Sequence, residues 1–436
     1  MKKITFIGAG SINFTTAVLS DLTTYPAFDD SFICLMDINP YRLKQIVRCA
    51  ERIKNERGSH ITITSTTSRE EALTGADAVI CTVFNGDVDI WRHEIEIPMK
   101  YGVNINIGDT RSVSGIFRAL RNIPLMLDIC RDMERICPQA IMLNYTNPMS
   151  MLCKAMQSYT HVDVTGLCHS VQGTSRMLAE WAGVNYDDVT YTCAGINHLA
   201  FFLELKANGR DLYPLLREKI LTSEFYNKEK VRNEIFKTFG YYVTESSGHN
   251  SEYTSWFRKR PDLILRYCSA EGANWNPGEY AYSLKLREDP NRFDNMLRDW
   301  MAKPISKERG QEYAANILNA RIGDFTPFDF NANILNNGSI ENLPQDACVE
   351  IPVTAVKEGY IRKFQGKLPS SVAPLVSLTA SLENLVVEAW ENKSKQTVYQ
   401  AVSLDPLCSA VLSLQEIRDM CDELFAINQD YLGDFN

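Results

Sequence analysis

A chain of 436 residues with 45% apolar content is long enough for two or three domains, each with a sizeable core. Its net charge of −9 and the absence of any basic run exclude a phosphate backbone or an anionic membrane surface as partner, so nucleic acid and membrane binding drop out. Twelve cysteines without paired metal-knuckle spacing read as free thiols in a reducing compartment. The apolar opening run stops at a glycine turn, too early for a signal-peptide core or a membrane span, so the expected location is cytoplasmic.

Ile4 to Ile7 is a short apolar run closed by Gly8-Ala9-Gly10-Ser11, and Asn13 to Leu22 then repeats apolar residues at helical spacing, a strand, turn and helix in order. Phe32 to Met36 is a second apolar run, ending at Asp37, and Tyr41 to Glu56 is helical in pattern. Ala76 to Val83, Ile141 to Asn144 and Val162 to Gly166 are further strand candidates, with helical stretches at Gly115 to Ile136, Met149 to Gln157 and Thr174 to Ala182. This alternation predicts an α/β fold with a doubly wound parallel Rossmann sheet. The pattern changes near Gly195, where Phe201 to Lys206 reads as a strand, Glu229 to Phe239 as a helix and the final third as long helices between Pro and Gly turns. The expected division is residues 1–195 as a nucleotide-binding domain and 196–436 as a C-terminal α+β domain for substrate and oligomerisation.

Gly8 and Gly10 suit a turn where backbone approaches a pyrophosphate, with the next helix aiming its N–H groups at that charge. Alone, Gly-Ala-Gly-Ser with Asn13 in place of the third fingerprint glycine is also what a plain tight turn looks like. Its place at the first strand, and Asp37 ending the second, favour a dinucleotide site at Gly8, Ala9, Gly10, Ser11 and Asp37. A carboxylate at that point repels a 2′-phosphate, which selects NAD over NADP.

Three polar clusters sit where later strands should end: Asn144 to Pro148, Gly166 to Ser170 and Gly195 to His198. Carboxyl ends of parallel strands face one ligand crevice, so the clusters can converge. There Cys168 and His198 offer a thiolate and an imidazole to a divalent ion, although a single Cys is more often a small buried apolar residue and a single His often a satisfied core or surface group. Cys153 and Cys193 read as core residues, and His60, His93 and His161 as solvated ones.

The opening KITFIGAGS, NYTNPM at 144–149, GLCHSVQGT at 166–174, AGINH at 194–198 and YYVTESSGHNSEY at 241–253 resemble glycoside hydrolase family 4, most of all its alpha-galactosidases. LDPLCSA at 404–410 and CDELFA at 421–426 extend the resemblance over nearly the whole chain. It implies a lactate/malate dehydrogenase-like fold and a glycosidase requiring NAD and Mn²⁺ or another divalent metal, acting on a small-molecule glycoside as a homodimer or homotetramer. The implied route is oxidation at C3, deprotonation at C2, elimination of the aglycone, addition of water and re-reduction, outside the usual two-carboxylate scheme. Cys168 and His198 match the family's metal ligands, and Asn147 its substrate-binding asparagine. Asp109 falls where a polar residue meets the sugar. His169, directly after the metal cysteine, stands where an acid can assist the leaving group, and a sugar hydrogen bond is its other role. Tyr253 is the candidate C2 base, with Glu245 and His249 as rivals; its phenol, ordinarily near pKa ~10, needs the metal or a cation to lower it.

Arg111-Ser112-Val113-Ser114-Gly115 stands where the family is usually glycine-rich, so added side chains are expected to narrow the approach to nicotinamide or sugar. Arg111 either faces solvent or marks an anionic sugar, since a guanidinium fork suits a uronic carboxylate. Alpha-galacturonidase or alpha-glucuronidase activity is thus one alternative. A plain NAD-dependent dehydrogenase is a second, and a retired nucleotide-binding protein a third. The segment 268–287 differs from the family pattern and leaves substrate contacts there unassigned.

Overall fold

The computed structural model describes residues 1–269, 278, 280–310 and 312–436, so part of the divergent stretch, 270–277 and 279, lies outside the described residues. Six parallel strands form the N-terminal half of the sheet: β1 (Lys3–Ile7), β2 (Phe32–Met36), β3 (Thr62–Thr66), β4 (Ala78–Cys81), β5 (Ile141–Asn144) and β6 (Asp163–Gly166). Their order is β3-β2-β1-β4-β5-β6, the doubly wound dinucleotide arrangement. β3 was not legible as a strand: its Thr-Ile-Thr-Ser-Thr sequence is largely exposed at the sheet edge and lacks apolar alternation.

The sheet continues beyond β6 without a break. β7 (Val189–Ile196), β8 (Leu199–Ala207), β9 (Arg210–Asp211), β10 (Phe328–Leu335), β11 (Cys348–Val356) and β12 (Gly359–Arg362) extend it antiparallel, in the path β6-β10-β11-β7-β8-β9 with β12 on β11. One register point, Asn333 opposite Gly166, joins the halves, and within the antiparallel half Glu350 of β11 stands opposite Gly195 of β7. Gly195 therefore lies inside β7, and residues far apart in sequence meet at the strand ends around Cys168 and His198.

Successive residues of a strand face opposite sides of the sheet, and the cores divide accordingly. Ile4, Phe6, Ile33 and Leu35 pack with helices Ile12–Leu22, Pro40–Arg57 and Ala314–Ile322. Ile7, Cys34 and Met36 pack on the other side, where Ser112–Ile136 and Met149–Tyr159 meet the C-terminal helices Ala373–Asn392 and Leu414–Leu432. Two helices begin earlier than their apolar periodicity suggests, at Ser112 and Ser170, because serines in their first turns interrupt that periodicity. Cys153 and Cys193 are fully buried, His60, His93 and His161 exposed. No helix of the described residues is long and apolar enough to cross a membrane.

Candidate active site

Gly8 follows β1 with φ of 83°, and a side-chain carbon there would lie 2.2 Å from the Thr82 carbonyl oxygen, so glycine is required. Gly10 N donates to Asp37 Oδ2 at 2.7 Å, and Asn39 N donates to Oδ1 at 2.8 Å, which pins the carboxylate against the turn. The helix starting at Ile12 presents its N-terminal N–H groups just beyond Ser11. Gly8, Ala9, Gly10, Ser11 and Asp37 thus form a cradle that suits a diphosphate and an adjoining ribose.

The other strand ends supply the reacting groups. Cys168 and His169 follow β6, and His198 occupies the tight β7–β8 turn with a left-handed φ of 61°. Val243 bridges to Phe201, and Thr244 N donates to the Ala200 carbonyl at 2.9 Å, which ties the segment 243–253 beside β8. That segment brings in Glu245, whose φ of 66° is also left-handed, together with His249 and Tyr253. Backbone held in this sparsely populated region for two side chains of one cluster is a local cost that the surrounding hydrogen bonds sustain.

Cys168, His198 and Glu245 each direct one ligand atom into a common space, all within 4.8 Å of one another. His198 Nε2 lies 3.4 Å from Glu245 Oε2, and its Nδ1 lies 3.2 Å from the Tyr253 hydroxyl. Burial lowers the His198 imidazole to about 4, so it is neutral and has a lone pair to give. Burial acts to raise Glu245, but the neighbouring His198 and His249 draw it down to about 2, leaving a carboxylate. Burial raises the Cys168 thiol, and the carboxyls of Glu350 and Glu245 push it further up. A buried thiol facing carboxylates is an environment that a divalent cation would reverse, and the sulfur, imidazole and carboxylate set fits such an ion.

Two polar layers surround this cluster. Glu245 Oε1 meets His249 Nδ1 at 3.1 Å, and His249 Nε2 lies 3.6 Å from Asp109 Oδ1. Although burial acts to lower it, Glu245 and Asp109 together raise His249 to about 10, and His249 in turn holds Asp109 well below the usual carboxylate range against burial. The loop before Asp109 is fixed by Glu252, whose carboxylate accepts from Asn106 N (2.7 Å), Ile107 N (2.9 Å) and Gly108 N (2.9 Å). Beneath the cluster Glu350 is fully buried and neither carboxylate oxygen has a well-aligned partner; burial raises it to about 8.

His169 sits at a distance from the His249 layer, its ring stacked on Phe14 (5.7 Å) and Tyr145 (5.9 Å) and its Nε2 2.7 Å from Glu312 Oε1. Tyr145 donates to the other oxygen of Glu312 at 3.0 Å. Asn147 follows β5, and its buried Oδ1 has no partner within the protein, as a ligand-facing amide would. The structure thus gathers Cys168, His198, Tyr253 and Asp109 into one network and sets His169 against the Phe14 turn.

Arg111 does not face solvent: it is 4% exposed. Its Nε and Nη2 each meet Glu383 Oε1 at 3.2 Å, Nη2 also donates to the Asn197 carbonyl, and the guanidinium carbon lies 4.8 Å over the Tyr253 ring. Ser112, Val113 and Ser114 are buried as well. Gly115 keeps its glycine for cause, since a side-chain carbon there would lie 2.5 Å from the Thr110 carbonyl carbon.

Sequence reasoning read Glu245 as a base rather than a ligand and missed Glu252, Glu312, Glu350 and Glu383. Two of these leave a trace: Glu350 interrupts an apolar strand, and Glu383 falls in the apolar stripe of its helix beside Ala380, Val386 and Val387. An acid at a core position needs a partner or a ligand.

The family 4 glycosyl hydrolase profile matches residues 3–184, and that of the family's C-terminal domain matches residues 193–408. An alpha-galactosidase from Bacillus subtilis (strain 168) is 38% identical over 447 residues, covering 100% of both chains. One from Rhizobium meliloti (strain 1021) is 34% identical over 99% of this chain and 89% of its own. A 6-phospho-alpha-glucosidase from gut microorganisms, solved in complex with NAD and Mn²⁺, superposes with a TM-score of 0.83 at 19% identity, each chain covered in full. By its sequence and by the site that sequence builds, the chain belongs to family 4 of the glycosyl hydrolases.

Proposed function

We propose that this enzyme hydrolyses alpha-galactosides with NAD and a divalent cation, Mn²⁺ first among them. The observation that carries the reading is the meeting of Cys168, His198 and Glu245 with Tyr253 on the far nitrogen of His198. The sugar is inferred from two relatives that are 38% and 34% identical over nearly the whole chain, both alpha-galactosidases. A uronic substrate finds less support, since Glu383 and Asn197 already engage Nε and Nη2 of Arg111 and only Nη1 is left without a hydrogen-bond partner.

Cys168, His198 and Glu245 would hold the cation, and Gly8 to Ser11 with Asp37 the coenzyme. Once bound, these groups supply reversible hydride storage from C3 and electrophilic pull on the sugar's C2 and C3 oxygens. The chain's residues do the proton work. Tyr253 accepts the C2 proton: were Nε2 of His198 to hold a cation, Nδ1 would carry the proton and donate to the phenol oxygen, favouring the phenolate. Burial raises the Tyr253 phenol and Asp109 adds to that, while Arg111 over the ring acts in the opposite direction. His169, oriented by Glu312, donates a proton to the departing oxygen at C1, and water takes the aglycone's place. Asn147 and Asp109 hold sugar hydroxyls. Asp109 is kept ionised by His249, which suits it to accepting hydrogen bonds rather than giving a proton.

Twelve cysteines, eleven of them buried, support a reducing cytoplasm as the place of work. The family resemblance supports a homodimer or homotetramer. The deciding assay is hydrolysis of nitrophenyl alpha-galactoside against the matching uronide, with Mn²⁺, NAD and reductant. Galactoside turnover without accumulating NADH is the expected result; sustained NADH would indicate a dehydrogenase, and uronide turnover alone would overturn the assigned sugar.

A further inference from the structure

Arg111 joins four parts of the molecule that the sequence keeps far apart. It is the N-cap residue of helix Ser112–Ile136, its fork reaches Glu383 on helix Ala373–Asn392, its Nη2 donates to the carbonyl of Asn197, and its guanidinium lies over the Tyr253 ring. Asn197 is the residue before His198, in the turn whose left-handed φ aims the imidazole. A planar guanidinium can stack on a ring and bond in its own plane at once, which lysine cannot do. Arg111 and Glu383 are both buried, so neither is free to reorient into water, and removing one partner would leave the other uncompensated.

We propose that Arg111 is a positioning residue that fixes the Tyr253 phenol and the His198 turn as one rigid unit, with Glu383 as its anchor. The proposal rests on reading Tyr253 as the C2 base. It gives the departure from a glycine-rich stretch a purpose: the side chain ties Glu383, the Asn197 carbonyl and the Tyr253 ring together.

The test compares Arg111→Met, Arg111→Lys and Glu383→Gln with the parent enzyme, using NAD binding and thermal melting as fold controls. Arg111→Met is expected to bind Mn²⁺ about 10-fold more weakly by direct titration with NAD present, the effect typical of losing a group behind a metal ligand. Its kcat should fall about 100-fold, as for a base displaced by an ångström, with KM changed far less. The isotope effect from C2-deuterated substrate should rise while that from C3-deuterated substrate falls, a split that general loosening would not produce. Arg111→Lys should restore only part of each loss. Unchanged metal affinity and an unchanged C2-to-C3 isotope pattern in Arg111→Met would overturn the proposal. Should that variant not fold, Glu383→Gln, which keeps volume and an acceptor, must show the same directions at smaller size, and parental values in it overturn the proposal equally. If the parent enzyme shows neither C2 exchange with solvent nor a C2 isotope effect, the base reading of Tyr253 fails, while the Mn²⁺ titration still judges Arg111.

Discussion

The Tyr253 hydroxyl lies 3.2 Å from Nδ1 of His198, the nitrogen opposite the one that faces Glu245. One imidazole therefore stands between the phenol and the proposed cation, and the charge of that cation can reach the phenol through it. Tyr253→Phe removes the oxygen and keeps the ring that Arg111 covers. Loss of a general base costs about 10²- to 10⁴-fold in rate. The variant should lose that much kcat, along with exchange of the C2 proton into deuterated solvent, at nearly unchanged Mn²⁺ affinity. Parental exchange in Tyr253→Phe would hand the role to Glu245 or another group.

The thiol of Cys168 is raised by burial and by the carboxyls of Glu350 and Glu245, so a cation must displace its proton to use the sulfur. Mn²⁺ affinity should accordingly increase with pH through the neutral range, and binding in weak buffer should release protons. Cys168→Ser should abolish metal-dependent turnover and flatten that pH dependence while the melting temperature of the metal-free protein stays close to parental. A variant that keeps both activity and the pH slope would remove the sulfur from the metal site.

How much of this could be read from the chain depends on how local each signal is. The Gly8 turn, Asp37, Cys168 and His198 are legible because each sits at a strand end whose apolar run is unmistakable, and position in an alternating fold then says which way it faces. The edge strand Thr62–Thr66 and the roles of Glu252 and Glu312 were not legible, since they depend on contacts across 146 and 143 residues, the separations from Glu252 to Asn106 and from Glu312 to His169. Arg111 was visible as a departure, but its burial against Glu383 was not: nothing near it in sequence reveals that partner, which lies 272 residues on. Burial of a charged side chain is a property of the assembled packing, and a one-dimensional pattern records only the half of the pair that is in view.

Coenzyme choice rests on Asp37, whose two oxygens are held by Gly10 N and Asn39 N at the end of β2. Charge-assisted hydrogen bonds of this type contribute roughly 1.5–3 kcal/mol each. Asp37→Ala should weaken NAD binding by about 10- to 100-fold and reduce the margin against NADP, read directly by titrating each nucleotide. Unaltered NAD affinity would show that the ribose is held elsewhere.

Asp405 offers a test that is independent of catalysis. It caps helix Pro406–Val411 by accepting from Leu407 N at 3.2 Å and Cys408 N at 2.8 Å, yet it is fully buried. Burial raises it from the ordinary 3.8 to about 6 in the fold. A carboxyl with a raised pKa binds its proton more tightly when folded, so its contribution favours the native state at low pH and is lost as pH climbs through about 6. Above that point the buried charge costs on the order of 3 kcal/mol, from about two pKa units at roughly 1.4 kcal/mol each. Asparagine keeps the capping oxygen and cannot ionise. Asp405→Asn should therefore raise the urea midpoint at pH 8, and its advantage should shrink steadily as pH falls from about 6 towards 4. A constant difference across that range would mean that Asp405 titrates outside it and that burial does not raise its carboxyl as described.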